Sequence, residues 1–224
     1  MTKRPIQTSK KTLLKIIDMI YDSMDKHYAP FFSLWKNFVY DYADDNILFR
    51  DNENFSLKDE VFTYNDIIFN NIEIAIRFDI ERIIRLIGMN SIKPVIKNSE
   101  HLKNNYKFSK TDLPFTSRNR PTLPILIYFP LLHNNCPCEY LVIDGNHRIT
   151  AFHENKENFN FMYIPPKQLS MGCFSDLNSW ILYTFMLFYH NIPKSANDFE
   201  SFMHNNFYTV NLAKSILSDV PGDQ

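Results

Sequence analysis

The residues best suited to chemistry in this 224-residue chain form one short run, Ile143-Asp144-Gly145-Asn146-His147-Arg148. An apolar stretch precedes the run and a helix-like stretch follows it, so it is predicted to join a strand to a helix. The N-terminus of a helix has N–H groups without intrahelical partners and a partial positive charge. His147 and Arg148 add donors at that end, and arginine can bind phosphate with two parallel hydrogen bonds. The run therefore predicts a phosphate-binding site.

Gly145 and Asn146 support this prediction. The whole chain contains only 4 glycines, and a glycine lets the backbone approach a ligand closely. Asn146 is of a residue type that caps helices. Cations in the first turn of a helix oppose its dipole, and a bound anion would offset that effect. The alternative is that Gly145 only makes a tight turn, with His147 and Arg148 in solvent.

The elements around this junction are predicted from hydrophobic periodicity. Ile72, Ile74, Ile76 and Phe78 alternate with other residues, which is strand spacing. Asp79 is expected to cap a short helix that ends at Gly88. The other predicted elements are strands at 124–128, 139–144 and 159–164, a helix at 147–155, and a long irregular loop at 97–121 that is expected near the site.

Both ends of the chain are predicted to be helical. Apolar spacing indicates helices over 12–28 and from Phe31 to Tyr42, separated at Pro30, with a loop at 44–59. Two further helices follow from 176 to 217, divided at Pro193. Trp35, Phe38, Trp180 and Phe185 are interpreted as core, the alternative being a partner surface. The predicted fold is α+β, with a core at 61–170 between helical extensions at 1–60 and 171–224.

Composition limits the classes of function. The formal net charge is −1, which gives no support to nonspecific binding of nucleic acid. Cys136, Cys138 and Cys173 are too few for a disulfide framework, and Cys136-Pro137-Cys138 is interpreted as a turn with reduced thiols rather than a metal site. The sequence shows no signal-peptide pattern, and its longest apolar run, 180–189, is too short to span a bilayer. We therefore expect a cytoplasmic protein without a membrane partner.

The stretch from Tyr140 to Ala151 resembles the signature of the ParB/sulfiredoxin superfamily, in which an apolar strand leads through Asp-Gly-x-His-Arg into a helix. The resemblance covers roughly residues 90–168, with 72–78 as a possible first strand, and implies a small ParB/sulfiredoxin-like mixed sheet. Asn146 stands where sulfiredoxins have their nucleophilic cysteine, so their reductase reaction is not expected. ParB partition proteins, which bind CTP, have a different acidic and arginine-rich motif. The motif of the free serine kinases, Asp-Gly-His-His-Arg, is the most similar to the run from Asp144 to Arg148, with Asn146 as the one difference.

This resemblance implies a nucleotide-binding enzyme, either a small-molecule-kinase-like phosphotransferase or a nucleotide hydrolase. The nucleotide would be ATP, ADP or CTP, and a small-molecule acceptor would take the phosphoryl group. Gly145 and Asn146 would supply backbone contacts to phosphate, while His147 and Arg148 would bind phosphate and stabilise its charge during catalysis. Asp144 would hold Mg²⁺ or orient the acceptor hydroxyl. A catalytic base stays open among Glu73, Asp79, Glu81 and Glu100.

Two other functions remain open. In the first, the same phosphate cradle belongs to a ParB-like DNA-binding protein or nuclease, with His147 as acid or base; the near-neutral net charge counts against this. In the second, the chain is a non-catalytic interaction module in which bound nucleotide orders the 97–121 loop.

Overall fold

The chain has a mixed α+β fold in a computed structural model that describes residues 8–43, 61–68, 72–102, 106–108, 123–129 and 140–205. The helices are α1 (Lys10–Asp22), α2 (Ala29–Tyr42), α3 (Ile80–Gly88), α4 (Asn146–Asn155) and α5 (Leu177–His190). The strands are β1 (Val61–Ile68), β2 (Ile72–Asp79), β3 (Val95–Asn98), β4 (Tyr106–Lys107), β5 (Ile125–Tyr128), β6 (Tyr140–Asp144) and β7 (Asn160–Ile164). Residues 196–205 are also helical.

A five-stranded sheet with strand order β3-β7-β5-β6-β4 forms the centre of the fold. The central strand β5 runs parallel to β7 and antiparallel to β6. Ile125 and Ile127 of β5 belong to one buried cluster, whereas Leu126 belongs to another. Strands that are buried on both faces have continuous apolar sequences, which explains the uninterrupted run in β5.

Different elements cover the two faces of this sheet. Ile149 of α4 packs with Leu126, Val142 and Phe161 on one face. The larger cluster on the other face includes residues of α1, α2, β2, α3 and α5. This larger cluster draws on all three of the segments 1–60, 61–170 and 171–224.

Helix α2 packs against α5 through aromatic rings. The ring centroids of Trp35 and Phe185 are 5.6 Å apart, and those of Phe31 and Phe185 are 6.1 Å apart. Trp35, Phe38 and Phe185 are buried, which confirms their predicted place in the core. Trp180 is only partly buried.

The predicted helix over 12–28 is too long. Helix α1 ends at Asp22, where the N–H of Ser23 bonds to the carbonyl oxygen of Ile20 at 3.1 Å. Tyr28 lies in a separate 3₁₀ turn, and Pro30 occupies the first turn of α2, where its missing N–H is tolerated. The final predicted helix, at 198–217, begins at residue 196, and its described part ends at 205.

The predicted loop at 97–121 is wrong at its start. Strand β3 continues to Asn98, a 3₁₀ turn spans Ser99–Leu102, and the two-residue strand β4 follows. Strand β3 pairs with β7 and β4 pairs with β6. Both are short edge strands with few buried side chains, so they leave no clear hydrophobic period. Residues 109–121 lie outside the described ranges.

The predicted strand at 72–78 exists as β2, but it is not part of the five-stranded sheet. Strand β2 pairs antiparallel with β1 in a two-stranded sheet. Backbone groups of Arg77 bond to the first turn of α5 and to the segment before it. The N–H of Arg77 donates to Ser179 Oγ at 3.0 Å, and its carbonyl oxygen accepts from the N–H of Ser175 at 3.0 Å. These contacts hold β2 against α5. None of the helices in the described ranges has both the length and the apolar composition of a membrane span.

Candidate functional site

The β6–α4 junction turns at Gly145, whose φ of 90° and ψ of 20° are left-handed. Gly145 is the N-cap residue of α4, and Asn146 is the first helical residue. The prediction that Asn146 caps the helix is therefore wrong. The left-handed turn that takes the chain from the strand into the helix requires glycine at the cap position itself. The backbone carbonyl oxygen of Asn146 accepts a hydrogen bond from Thr150 Oγ1 at 2.9 Å.

Gly145 is also required because its neighbours are close. A Cβ atom at this position would lie 2.9 Å from the Cα of Pro124 and 2.9 Å from Arg148 Nη2. Pro124 is fixed in turn, because its carbonyl oxygen accepts a hydrogen bond from the N–H of Met162 at 2.8 Å. The absence of a side chain at Gly145 lets the Arg148 guanidinium lie directly over the junction.

The guanidinium of Arg148 is paired with the carboxylate of Asp144. Arg148 Nη2 donates to Asp144 Oδ2 at 3.2 Å, and the two side chains are 20% and 10% exposed. Asp144 thus orients Arg148 at the positive end of α4. A guanidinium has five N–H donors, so this one hydrogen bond leaves donors of the same group for an anion.

The remaining motif residues lie around the same end of α4. His147 is exposed, whereas Gly145 and Asn146 are partly buried. The first turn of α4 contains no acidic residue, so no carboxylate within that turn competes for its N–H groups. The structure therefore brings Asp144, Gly145 and Arg148 into contact, with His147 in the same turn on the solvent side.

The Mg²⁺ role of Asp144 stays a prediction, because Mg²⁺ is usually held by one or two carboxylates together with water and substrate phosphates. The described residues contain no group of three or more His, Cys, Asp or Glu side chains placed to hold a metal ion. Mg²⁺ takes oxygen ligands, but Asp144 Oδ2 already accepts from Arg148, whose positive charge opposes a second cation. Cys173 is buried, and burial raises the pKa of its thiol, which disfavours the thiolate form that binds metals. Cys136 and Cys138 lie outside the described residues.

The four carboxylates that were candidates for the catalytic base lie on elements other than β6 and α4. Asp79 is buried and caps α3 by accepting from the N–H of Arg82 at 3.0 Å. Glu81 follows in the first turn of α3, and Glu73 is an exposed residue of β2. Glu100 Oε1 accepts from Asn158 Nδ2 at 2.7 Å. It follows β3, which is separated from β6 by three strand spacings, or about 14 Å. The structure assigns none of the four as a base for the junction.

The structure also contains a cavity that the sequence did not predict. Its volume is about 940 Å³, and its walls include the side chains of Arg82, Lys167, Trp180, Tyr183 and Phe188. Among the described residues that line it there is none of the motif from Asp144 to Arg148. The apolar run at 180–189 lies in α5 and forms one wall, but such a run predicts buried core as readily as a cavity wall. Arg82 and Lys167 are far apart in sequence and gave no signal.

No family model matches this chain, and neither a curated protein nor a solved structure matches it. We therefore infer the function from the described residues and their chemistry.

Proposed function

We propose that the chain binds a nucleotide through its phosphates at the β6–α4 junction and acts as a nucleotide-dependent phosphotransferase or hydrolase. The observation that supports this most is the Arg148 guanidinium, which Asp144 and Gly145 hold over the N-terminus of α4. A helix N-terminus and a guanidinium fork both favour phosphate oxygens. The ParB/sulfiredoxin-like motif agrees with this proposal.

In this proposal Asp144 is a positioning residue for Arg148. Phosphoryl transfer depends mainly on positioning and on neutralising charge, and an oriented guanidinium can supply both. The first-turn N–H groups and His147 would contact further phosphate oxygens. The acceptor, whether a small molecule or water, would be activated by a group that the structure does not assign.

The test is calorimetric titration of the full chain with ATP, ADP and CTP, with and without Mg²⁺. Arg148→Ala is expected to weaken binding of the preferred nucleotide at least about tenfold, or about 1.4 kcal/mol. Arg85→Ala is the matched control, because Arg85 is an exposed arginine in the last turn of α3. If none of the nucleotides binds, or if Arg148→Ala binds as well as wild type, the proposal is overturned.

Asp144→Asn distinguishes the orienting effect of Asp144 on Arg148 from the effect of its negative charge on a bound anion. Loss of a negative charge beside an anion site would by itself strengthen nucleotide binding. If Asp144 orients Arg148, the variant should instead bind the nucleotide about threefold to tenfold more weakly, by roughly 0.7–1.4 kcal/mol. A stronger affinity in Asp144→Asn would contradict the positioning role.

The Asp144–Arg148 ion pair favours a second candidate, the non-catalytic nucleotide-gated module. The carboxylate nearest to the junction is engaged by a guanidinium and so is poorly placed as a base. Saturable binding without release of phosphate or transfer to any acceptor would support this second candidate over the enzyme.

A further inference from the structure

The cavity beside α5 has the size and surface of a site for an organic ligand. Its volume of about 940 Å³ lies in the upper part of the range of roughly 300–1,000 Å³ that is typical of ligand sites. Residues of α5 form one wall, and the other lining residues come from β5, β7, α3, the segment 166–172 and the helical segment 196–205. The apolar and aromatic lining residues include Leu86, Tyr128, Leu169, Met171, Leu187 and Phe202.

Two polar side chains that line the cavity are engaged by the protein itself. The Tyr183 hydroxyl donates to the carbonyl oxygen of Tyr128 at 2.8 Å, and Asn191 Nδ2 donates to that of Leu187 at 2.6 Å. Burial raises the pKa of Tyr183 well above its usual value, so this hydroxyl stays a neutral donor. The inner walls therefore favour the hydrocarbon part of a ligand over a sugar or a nucleobase.

The charged groups of the cavity have one sign. Arg82 and Lys167 line it, and no acidic side chain appears among its described lining residues. Both cations are exposed, and within the described ranges neither forms an ion pair. The Arg82 guanidinium lies along the backbone of Gly172, where a Cβ atom would be 3.2–3.3 Å from its Nη2, Cζ and Nε atoms. This contact places the Arg82 guanidinium at the cavity.

From this combination we propose that the cavity binds an acyl carboxylate, a ligand of the fatty-acid class. The hydrocarbon chain would occupy the apolar interior, and the carboxylate would bind Arg82 and Lys167. A guanidinium matches a carboxylate with two parallel hydrogen bonds, and the ammonium of Lys167, which lines the same cavity, adds a second positive charge. This site is separate from the proposed nucleotide site at the β6–α4 junction.

The experiment is calorimetric titration of the full chain with dodecanoate below its micellar concentration. Wild type is expected to bind in a saturable one-to-one manner. The double variant Arg82→Gln/Lys167→Gln should bind at least about tenfold more weakly, or about 1.4 kcal/mol. Arg85→Gln is the matched control, because Arg85 is exposed on the same helix as Arg82 but does not line the cavity. It should bind dodecanoate as wild type does.

Two further titrations make the result decisive. Dodecyltrimethylammonium, which has the same chain and the opposite charge, should bind much more weakly than dodecanoate. Thr184→Trp, which adds volume to the α5 wall, should abolish dodecanoate binding while a thermal unfolding transition shows that the variant is folded.

Absence of saturable dodecanoate binding would overturn the proposal. So would equal binding of the cationic amphiphile, unchanged affinity in the double variant, or unchanged affinity in folded Thr184→Trp. Arg148→Ala should leave dodecanoate binding unchanged, so the two proposed sites succeed or fail independently.

Discussion

Replacement of Gly145 by alanine tests how the β6–α4 junction is built. The backbone at Gly145 has a φ of 90°, and a left-handed conformation costs an L-residue roughly 1–2 kcal/mol. The new Cβ would also lie 2.9 Å from Pro124 and from the Arg148 guanidinium. The guanidinium can move, but Pro124 is held by its hydrogen bond from Met162. Overpacking of this kind costs roughly 1–3 kcal/mol.

The two effects together predict that Gly145→Ala lowers the free energy of unfolding by roughly 2–5 kcal/mol. For a chain of this size, each kcal/mol corresponds to about 2–4 °C in Tm. Urea unfolding followed by circular dichroism would give the free energy, and a thermal melt would give Tm.

Gly88→Ala is the matched control for this measurement. Gly88 is the last residue of α3, and a Cβ there would meet no atom within 4 Å. Alanine is favoured over glycine in a helix by roughly 0.5–1 kcal/mol, so Gly88→Ala should be neutral or slightly stabilising. If Gly145→Ala were as stable as Gly88→Ala within about 0.5 kcal/mol, the strain and crowding inferred at the junction would be refuted.

Three other predictions concern α5 and the junction. Burial raises the pKa of Asp176, the N-cap of α5, above its usual 3.8, although hydrogen bonds from Ser179 lower it. The contribution of Asp176 to stability is therefore fully present below pH 3.8 and is lost as pH rises through the folded pKa. Asp176→Asn should remove this part of the pH dependence of the unfolding free energy. An unchanged pH profile in the variant would contradict the prediction. Tyr183→Phe should lower the free energy of unfolding by about 1–2 kcal/mol in urea, because the hydroxyl of this buried tyrosine donates to the Tyr128 carbonyl oxygen. Tyr40→Phe, at an exposed tyrosine, should have no effect. Arg148→Ala should lower the free energy of unfolding by about 1–3 kcal/mol, because it leaves the buried carboxylate of Asp144 unpaired. Adding Asp144→Asn should restore part of that loss, and a double variant no more stable than Arg148→Ala would contradict the pairing.

The regular elements were predictable where burial is periodic along the chain. Ile72, Ile74, Ile76 and Phe78 are all buried in β2, and the apolar runs of β5 and β6 were recognised as strands. Strand β1 was missed, because its side chains at 61–63 are only partly buried and give no clear alternation. Strand β4 has only 2 residues, which is too short for a period.

The site was predictable in its location but not in its contacts. The sequence placed Asp144, Gly145 and Arg148 at a strand-to-helix junction, and the structure has them there. Pairing of Asp144 with Arg148 depends on how the chain turns at Gly145, and the crowding by Pro124 depends on the neighbouring strand β5. The cavity combines Arg82, Lys167 and α5, which only the tertiary fold brings together.

The packing of α1 and α2 on α5 has a consequence for biosynthesis. Phe31 and Trp35 are synthesised about 150 residues before their partner Phe185. Until α5 is made, the apolar faces of both helices lack part of the surface that buries them in the folded protein. Because exposed apolar surface on nascent chains promotes aggregation, chains that stop before α5 should be insoluble or depend on chaperones, even though they contain the complete β6–α4 junction.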